Sequence, residues 1–243
     1  MDYGLYLSTA GALVQDMRAD QVANNLANVS TAGFRRVLQT FQERKPESFE
    51  DPAEVSWQTD PIDGVGGGLF LYRTLYDRSP GPLIATGNPL DLAIQGDGYF
   101  AVRAPDSDEV LFTRAGNFRV GPDGILHTAD GGHAVLDENG SEIEVADPAS
   151  DTFAESIQVR VFPEDADRTP VGGALYRFDG EGEAFPASGR VLSGAIEQSS
   201  VHVVTEMIEM IEALRAYEAN ASMIRGQNDT LSRAVNEIAR SPR

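Results

Sequence analysis

The C-terminal segment has the most regular pattern of apolar positions in the chain. From Val203 to Ile238 the pattern recurs at alternating spacings of four and three residues, and its one polar member is Asn228. This period is typical of a helix that supercoils around a partner helix, and a single Asn in such a seam can fix the register. We predict a helix over about 199–239. Its apolar face comprises Val203, Met207, Met210, Leu214, Tyr217, Ala221, Ile224, Asn228, Leu231, Val235 and Ile238, with Ile208 and Ile211 as a second stripe near its start.

The N-terminal segment has a weaker version of the same alternation. The positions are Leu5, Ser8, Ala12, Gln15, Ala19, Val22, Leu26 and Val29. We predict a helix over 4–30, with Gly33 as a left-handed residue that ends it. The two terminal helices are expected to pair as a coiled-coil stalk. Their remaining faces would pack on neighbouring chains or, alternatively, on their own domain.

Three asparagines crowd into the stretch VANNLANVSTAGFRR, residues 22–36. Asn24 and Asn28 are four residues apart on one helix face, and Asn25 points aside. Because an amide can donate to one neighbour and accept from another, we predict a role in subunit contacts. The alternative is that Asn28 caps the helix and Asn24 faces water. The predicted assembly residues of this end are Leu5, Ala12, Ala19, Val22, Asn24, Asn25, Leu26, Asn28, Val29, Gly33 and Phe34.

The middle of the chain has a different pattern. Residues 46–82 are rich in Pro and Gly and predict an extended linker with a strand at LFLYRTLY, 69–76. From 83 onward, short apolar runs alternate with turn signals, which predicts an antiparallel β domain. NFRV-GPDG-ILHT, 117–128, is the strongest hairpin. The other runs are LDLAI (90–94), YFAVRA (99–104), VLFTR (110–114), HAVL (133–136), IEV (143–145) and IQVRVF (157–162).

The predicted fold class is therefore α+β. We predict that the chain divides into an N-terminal helix (1–34), an extended linker (35–82), a β-rich domain (83–196) and a C-terminal helix (197–243).

Charge separates the middle of the chain from its ends. The net charge is −19, with about +1 in residues 1–45, about −2 in 197–243 and so about −18 between them. An acidic surface disfavours nucleic acid and anionic membranes as partners. The N-terminus lacks a basic segment followed by a long apolar core, so we expect no cleavable signal peptide, and no apolar run is long enough for a membrane-spanning helix.

Candidate chemistry is sparse. The absence of Cys excludes disulfides and thiol chemistry. His127, His133 and His202 belong to no catalytic or zinc motif, and GVGGG lacks the Lys-Ser/Thr of a phosphate loop. DENGSEIE, 137–144, misses the spacing of a calcium loop and is better read as a hairpin turn. We therefore predict no enzyme activity, metal or cofactor, and an assembly function instead.

Three stretches resemble bacterial flagellar axial proteins, the rod and hook family. They are VANNLANVSTAGFRR, then NPLDLAIQGDGYFAV with FTRAGNFRVGPDGIL, and finally VLSGAIEQSSVHVVTEMIEMIEALRAYEAN. They occur in the family's order and bracket most of the chain. The opening MDYGLYLSTAGALVQ and the length are more similar to proximal than to distal rod members. Two features depart from the family: Ser-Ser-Val-His at 199–202 stands where Ser-Asn-Val-Asn is usual, and the body after DENGSEIEV is short.

The resemblance implies a structural subunit of the basal-body rod. Such a subunit is exported by the flagellar type III apparatus and lies in the periplasmic rod of the flagellum. It assembles with copies of itself and with other rod and hook proteins. The terminal helices would form the inner tube, with the β domain outside, and would transmit torque from motor to hook.

Other interpretations remain open at this point. Within the family, the chain could be a distal rod or hook-type subunit. In another class, the acidic β domain could be a secreted module that binds a cation or a sugar, or a hydrolase that uses carboxylates.

Overall fold

Two long helices confirm the predicted helical ends of the chain. The computed structural model describes residues 3–44, 67–105, 107–129, 132–147, 154, 156, 157, 159–162, 168–178, 185, 186 and 190–240. Helix α1 spans Tyr3–Ala27 and helix α2 spans Val203–Arg240. The helix and β content is α+β, as predicted.

The described strands all lie between the two helices. They are β1 (Val37–Glu43), β2 (Leu69–Tyr76), β3 (Leu83–Ala85), β4 (Leu92–Gln95), β5 (Tyr99–Arg103), β6 (Val110–Thr113), β7 (Phe118–Val120), β8 (Leu126–Thr128), β9 (Ala134–Val135), β10 (Val159–Val161), β11 (Arg168–Gly172), β12 (Leu175–Phe178), β13 (Phe185–Pro186), β14 (Arg190–Ser193) and β15 (Ala195–Glu197).

The chain forms two compact units, and the first contains both helices with β1 and β2. The helices are antiparallel: Asn25 near the end of α1 contacts Glu206 near the start of α2, at 3.2 Å. At the other end, the side chain of Gln227 lies 2.9 Å from the position that a Cβ on Gly4 would occupy. The absence of a side chain at Gly4 therefore leaves room for the amide from α2.

Strands β1 and β2 form an antiparallel ribbon within the first unit. Val37 pairs with Tyr76 and Glu43 with Leu69, and a bulge interrupts the register between Thr40 and Phe41. The strand expected at 69–76 is confirmed. Its partner β1 was not predicted, since VLQTFQE lies in a stretch that we interpreted as linker. The Pro- and Gly-rich residues 45–66 of that predicted linker lie outside the described residues.

The second unit comprises residues 27–36 and 77–202 and is β-rich. Its largest sheet runs in the order β11-β12-β6-β5-β9-β8-β7, and β10 pairs with both β5 and β13. Strand β5 is central: β6 lies along one edge, while β9 and β10 share the other. The predicted hairpin at 117–128 is confirmed as β7 paired with β8. The run IEV forms isolated bridges on both sides of Ile143 instead of a strand.

Side chains on both faces of β5 are buried, so the sheet has apolar packing on each side. One face belongs to the main core of the unit, and the other carries an aromatic cluster around Tyr99. This burial explains why YFAVRA reads as a continuous apolar run instead of an alternating one. The buried core residues are Leu92, Ile94, Phe100, Val102, Leu111, Phe118, Leu126, Val135, Ile143, Val145, Ala154 and Ile157.

Two short ladders hold the C-terminal part of the second unit. Strand β14 pairs with β4, and β15 pairs with β3. Gly194 links β14 to β15 with a φ of 77°, and its N–H donates to the carbonyl of Asp91 at 2.8 Å. These ladders place Glu197, the last residue of β15, opposite Leu83.

Candidate assembly surfaces

The predicted seam of α1 is the face that this helix turns inward. Ser8, Ala12 and Val22 are buried, and the other positions from Leu5 to Leu26 are partly buried. Small side chains on this face allow α2 to approach α1 closely. At Gly11, the Asn220 side-chain oxygen lies 3.1 Å from the position that a Cβ would occupy. The residues of α1 that recur at alternating spacings of three and four therefore pack within the chain.

Helix α2 turns a different face toward the interior of the first unit. Glu206 and Ala213 are fully buried, and Ala216, Asn220 and Gln227 are partly buried. These residues are small or polar, so they do not belong to the pattern of large apolar side chains in the sequence. The sequence pattern missed this inner face for that reason.

Most of the predicted apolar seam of α2 is exposed. The exposed fractions are 37% for Val203, 50% for Met207, 49% for Leu214, 42% for Tyr217, 37% for Leu231 and 64% for Val235. Asn228 is also exposed, and the Ile238 side chain lies outside the described residues. Met210, Ala221 and Ile224 are partly buried. The seam thus lies beside the inner face of α2 and remains largely uncovered within one chain.

Amide side chains of α1 extend the β ribbon. Asn25 donates to the carbonyl of Val37 at 3.0 Å and accepts from the Val37 N–H at 2.9 Å. Gln21 donates to the same carbonyl at 2.7 Å and accepts from the Gln39 N–H at 3.1 Å. The two amides satisfy backbone groups along the outer edge of β1, as a further strand would. Asn25 also donates to Glu206 at 3.2 Å, so all its hydrogen-bonding groups are used within the chain.

The other predicted residues of VANNLANVSTAGFRR have different environments. Asn24 is exposed on α1. Asn28 follows the helix, where its carbonyl accepts from the Thr31 N–H and its side chain from the Thr31 hydroxyl. Phe34 is buried and accepts from the Ser200 N–H at 3.0 Å. The assembly roles of these positions stay predictions.

Gly33 is left-handed as predicted, with φ of 66°, but the predicted reason is wrong. Helix α1 ends at Ala27, so Gly33 does not stop it. A Cβ at Gly33 would lie 2.3 Å from the Arg114 carbonyl carbon and 2.4 Å from the Ala115 nitrogen. Glycine is needed here both for the backbone conformation and for the close approach of two chain segments.

The second unit contains a buried charge cluster that no sequence motif predicts. Arg35, Arg114 and Glu197 are 2%, 3% and 1% exposed. One Glu197 oxygen accepts from Arg35 at 2.9 Å and from the Gly81 N–H at 2.9 Å, and the other accepts from Arg114 at 3.1 Å. The sequence gives one hint of this cluster, because Arg114 and Glu197 each stand at the end of an apolar run.

Both arginines also bind backbone carbonyls. Arg114 donates to the carbonyls of Ile94, at 3.3 Å, and Gly96, at 2.7 Å, and Arg35 donates to that of Ser79. Burial lowers the pKa of Arg114 and the Glu197 carboxylate opposes this shift. The cluster therefore joins five chain segments, including the one that carries the Glu197 carboxylate.

Neither helix of the described chain has a stretch that is long and apolar enough to cross a membrane. Among the described residues, no group of three or more His, Cys, Asp or Glu is arranged to hold a metal ion.

Comparison with known proteins identifies the family. Residues 192–237 match the family described as flagellar basal body rod FlgEFG protein C-terminal, and residues 93–161 match the flagellar hook protein FlgE/F/G D1 domain. The chain is 31% identical to the flagellar basal-body rod protein FlgF of Salmonella typhimurium, over 99% of this chain and 100% of that protein. It is 30% identical to the rod protein FlgG of Bacillus subtilis, over 96% and 97%.

The chain belongs to the flagellar basal-body rod protein family. FlgF of Caulobacter vibrioides is also similar, at 30% identity over 99% of both chains. The C-terminal family match covers Glu197 and the start of α2 with its exposed apolar side chains, and the D1 match covers Arg114. The three stretches that carried the resemblance thus meet at the buried charge cluster, since Arg35 lies in the first, Arg114 in the second and Glu197 in the third.

Proposed function

We propose that this rod-family chain is a structural subunit of the flagellar basal-body rod that polymerises through its terminal helices. The observation that carries the proposal is the exposed apolar seam of α2. Half-exposed side chains such as Met207 and Leu214 lie on a helix whose inner face is already occupied by other residues. Contiguous exposed apolar surface on a soluble protein marks an interaction site.

The finer parts of the proposal concern assembly. The terminal helices pair as a coiled coil in the assembled axial core, and the predicted division into 1–34, 35–82, 83–196 and 197–243 describes the parts of the subunit. The subunit is exported by the flagellar type III apparatus. In the periplasmic rod it contacts copies of itself and other axial proteins, and it transmits torque from motor to hook.

We also propose that the subunit belongs to the proximal rod, next to FlgF, with a distal or hook-type position as the alternative. The chain length and the opening MDYGLYLSTAGALVQ support the proximal position. Named relatives include both FlgF and FlgG at similar identity, so position is best tested directly. Imaging of basal bodies that carry an internally tagged chain is expected to locate the tag at the motor-side end of the rod.

The function is tested by complementation of a strain that lacks the gene. Removal of residues 205–243 is expected to abolish swimming and rod formation, because it removes nearly all of α2. Leu214→Asp is the sharper variant. We expect little loss of stability in the free subunit, because Leu214 is half exposed, but a severe loss of assembly, because a carboxylate would enter an apolar contact. Normal swimming with either variant would refute the proposal.

A further inference from the structure

The β1–β2 ribbon has a second large apolar surface. Leu69, Phe70, Leu71, Tyr72 and Leu75 of β2 are all exposed, at 37–64%. Successive strand residues point to opposite faces, so both faces of the ribbon carry uncovered apolar side chains. Contiguous exposed apolar surface marks an interaction site, so this surface is expected to be covered in the functional state.

The first third of α2 has a matching outward face. Val204, Met207, Ile208, Ile211 and Leu214 recur at helical spacing and are 49–71% exposed. We call this face the α2 patch. Beyond Leu214 the charged residues Arg215 and Glu218 interrupt this face, although Tyr217 and Met223 nearby are also exposed. The α2 patch is about 15 Å long, close to the length of about 20 Å from Leu69 to Leu75 in an extended strand.

Charges next to the two surfaces are complementary. Glu212 and Glu218 flank the α2 patch and are exposed, while Arg73 lies between Leu71 and Leu75 on the ribbon and is also exposed. None of the three side chains makes an ion pair within the described part of the chain. Opposite charges at the edge of an apolar contact fix its register and disfavour wrong partners.

We propose that the ribbon of one copy packs on the α2 patch of the next copy. Because the two surfaces are different, a contact between two copies covers the ribbon of one and the α2 patch of the other. The pair still has one uncovered α2 patch and one uncovered ribbon. Such a heterologous contact repeats without closing and generates a helical array. This inference rests on the proposed rod function and specifies which surfaces join successive copies of this chain.

Cysteine cross-linking tests the contact in assembled basal bodies. The chain has no cysteine, so each introduced thiol is unique. An untagged Leu71→Cys chain and a tagged Ile211→Cys chain are expressed together in the deletion strain, and purified basal bodies are treated with a short bismaleimide. We expect a heterodimer that carries the tag on one chain only. Val171→Cys, an exposed apolar position in the second unit, replaces Leu71→Cys as the matched control and is expected to give at least tenfold less heterodimer.

Other results overturn the inference in distinguishable ways. In a chain that carries both Leu71→Cys and Ile211→Cys, cross-links that form only within one chain would overturn the contact between copies. Cross-links of Ile211→Cys only to a different axial protein would show that another surface occupies the patch. No heterodimer from variants that both swim and both occur in basal bodies would also overturn it, while leaving the rod function intact. Absence of the unmodified chain from basal bodies would instead overturn the proposed function.

A charge exchange provides a second readout. Arg73→Glu alone is expected to reduce swimming at least several-fold, and Glu212→Arg with Glu218→Arg is expected to restore it. Failure of the exchange to restore swimming, with normal levels of exported protein, would contradict the proposed pairing.

Discussion

Replacement of Glu197 by Gln tests whether the buried charge cluster stabilises the second unit. Glu197 is 1% exposed and neutralises two arginines that are themselves almost fully buried. Gln keeps the size and one acceptor oxygen, but it removes the negative charge and directs an amide N–H toward a guanidinium. Arg35 and Arg114 would then be buried cations without a counter-ion.

The expected cost follows from that geometry. Removal of one partner from a buried ion pair costs about 3–5 kcal/mol, because the remaining charge is left uncompensated in a poorly hydrated site. Since single domains are stable by only about 5–15 kcal/mol, this is a large fraction of the total. For a unit of this size the loss corresponds to a decrease in Tm of roughly 10 °C.

Thermal and urea unfolding of the purified chain, followed by circular dichroism, measure the effect. Glu144→Gln is the matched control, because it makes the same chemical change at an exposed position of the same unit and is expected to alter stability by less than about 0.5 kcal/mol. A Glu197→Gln variant as stable as the control would show that the two arginines do not need the carboxylate, and the argument for the cluster would be wrong.

Three further predictions concern other elements. Gly33→Ala is expected to destabilise the second unit by at least about 2 kcal/mol in urea unfolding, since its methyl group would overlap the Arg114 backbone in a left-handed conformation; wild-type stability would contradict this. Asn25→Ala is expected to increase hydrogen exchange at the Val37 amide, whereas Asn24→Ala, on the exposed side of α1, is not; equal exchange in both variants would refute the role of the Asn25 amide. Burial lowers the pKa of His133 below 6.5, so stability is expected to fall as pH decreases from 7 toward 5, a trend that His133→Gln should reduce in pH-dependent thermal melts.

The helices and most central strands could be predicted because their patterns are local. The periodicity of 203–238 and the turn GPDG each involve neighbouring residues, and α2 and the β7–β8 hairpin follow from them. Strand β1 was missed because VLQTFQE is half polar, and its edge is satisfied by Gln21 and Asn25 of a helix, which no local pattern reveals.

The candidate sites depend on contacts between distant parts of the chain. The exposed seam of α2 was predicted as an apolar face, but its position beside the inner face requires knowledge of where Glu206 and Ala213 lie. The charge cluster was missed because Arg35, Arg114 and Glu197 meet only after the β domain has folded. A charged residue in an apolar run is usually exposed, so the sequence offered no reason to pair these three.

Maleimide labelling of a Leu214→Cys chain tests the central claim most directly. The thiol would be the only one in the protein, and its side chain is half exposed in the free subunit. The account predicts fast labelling of the purified subunit and labelling slowed at least tenfold in isolated basal bodies, because neighbouring subunits cover the α2 seam. Equal labelling rates in the two states, with the variant present in the basal bodies, would contradict the account.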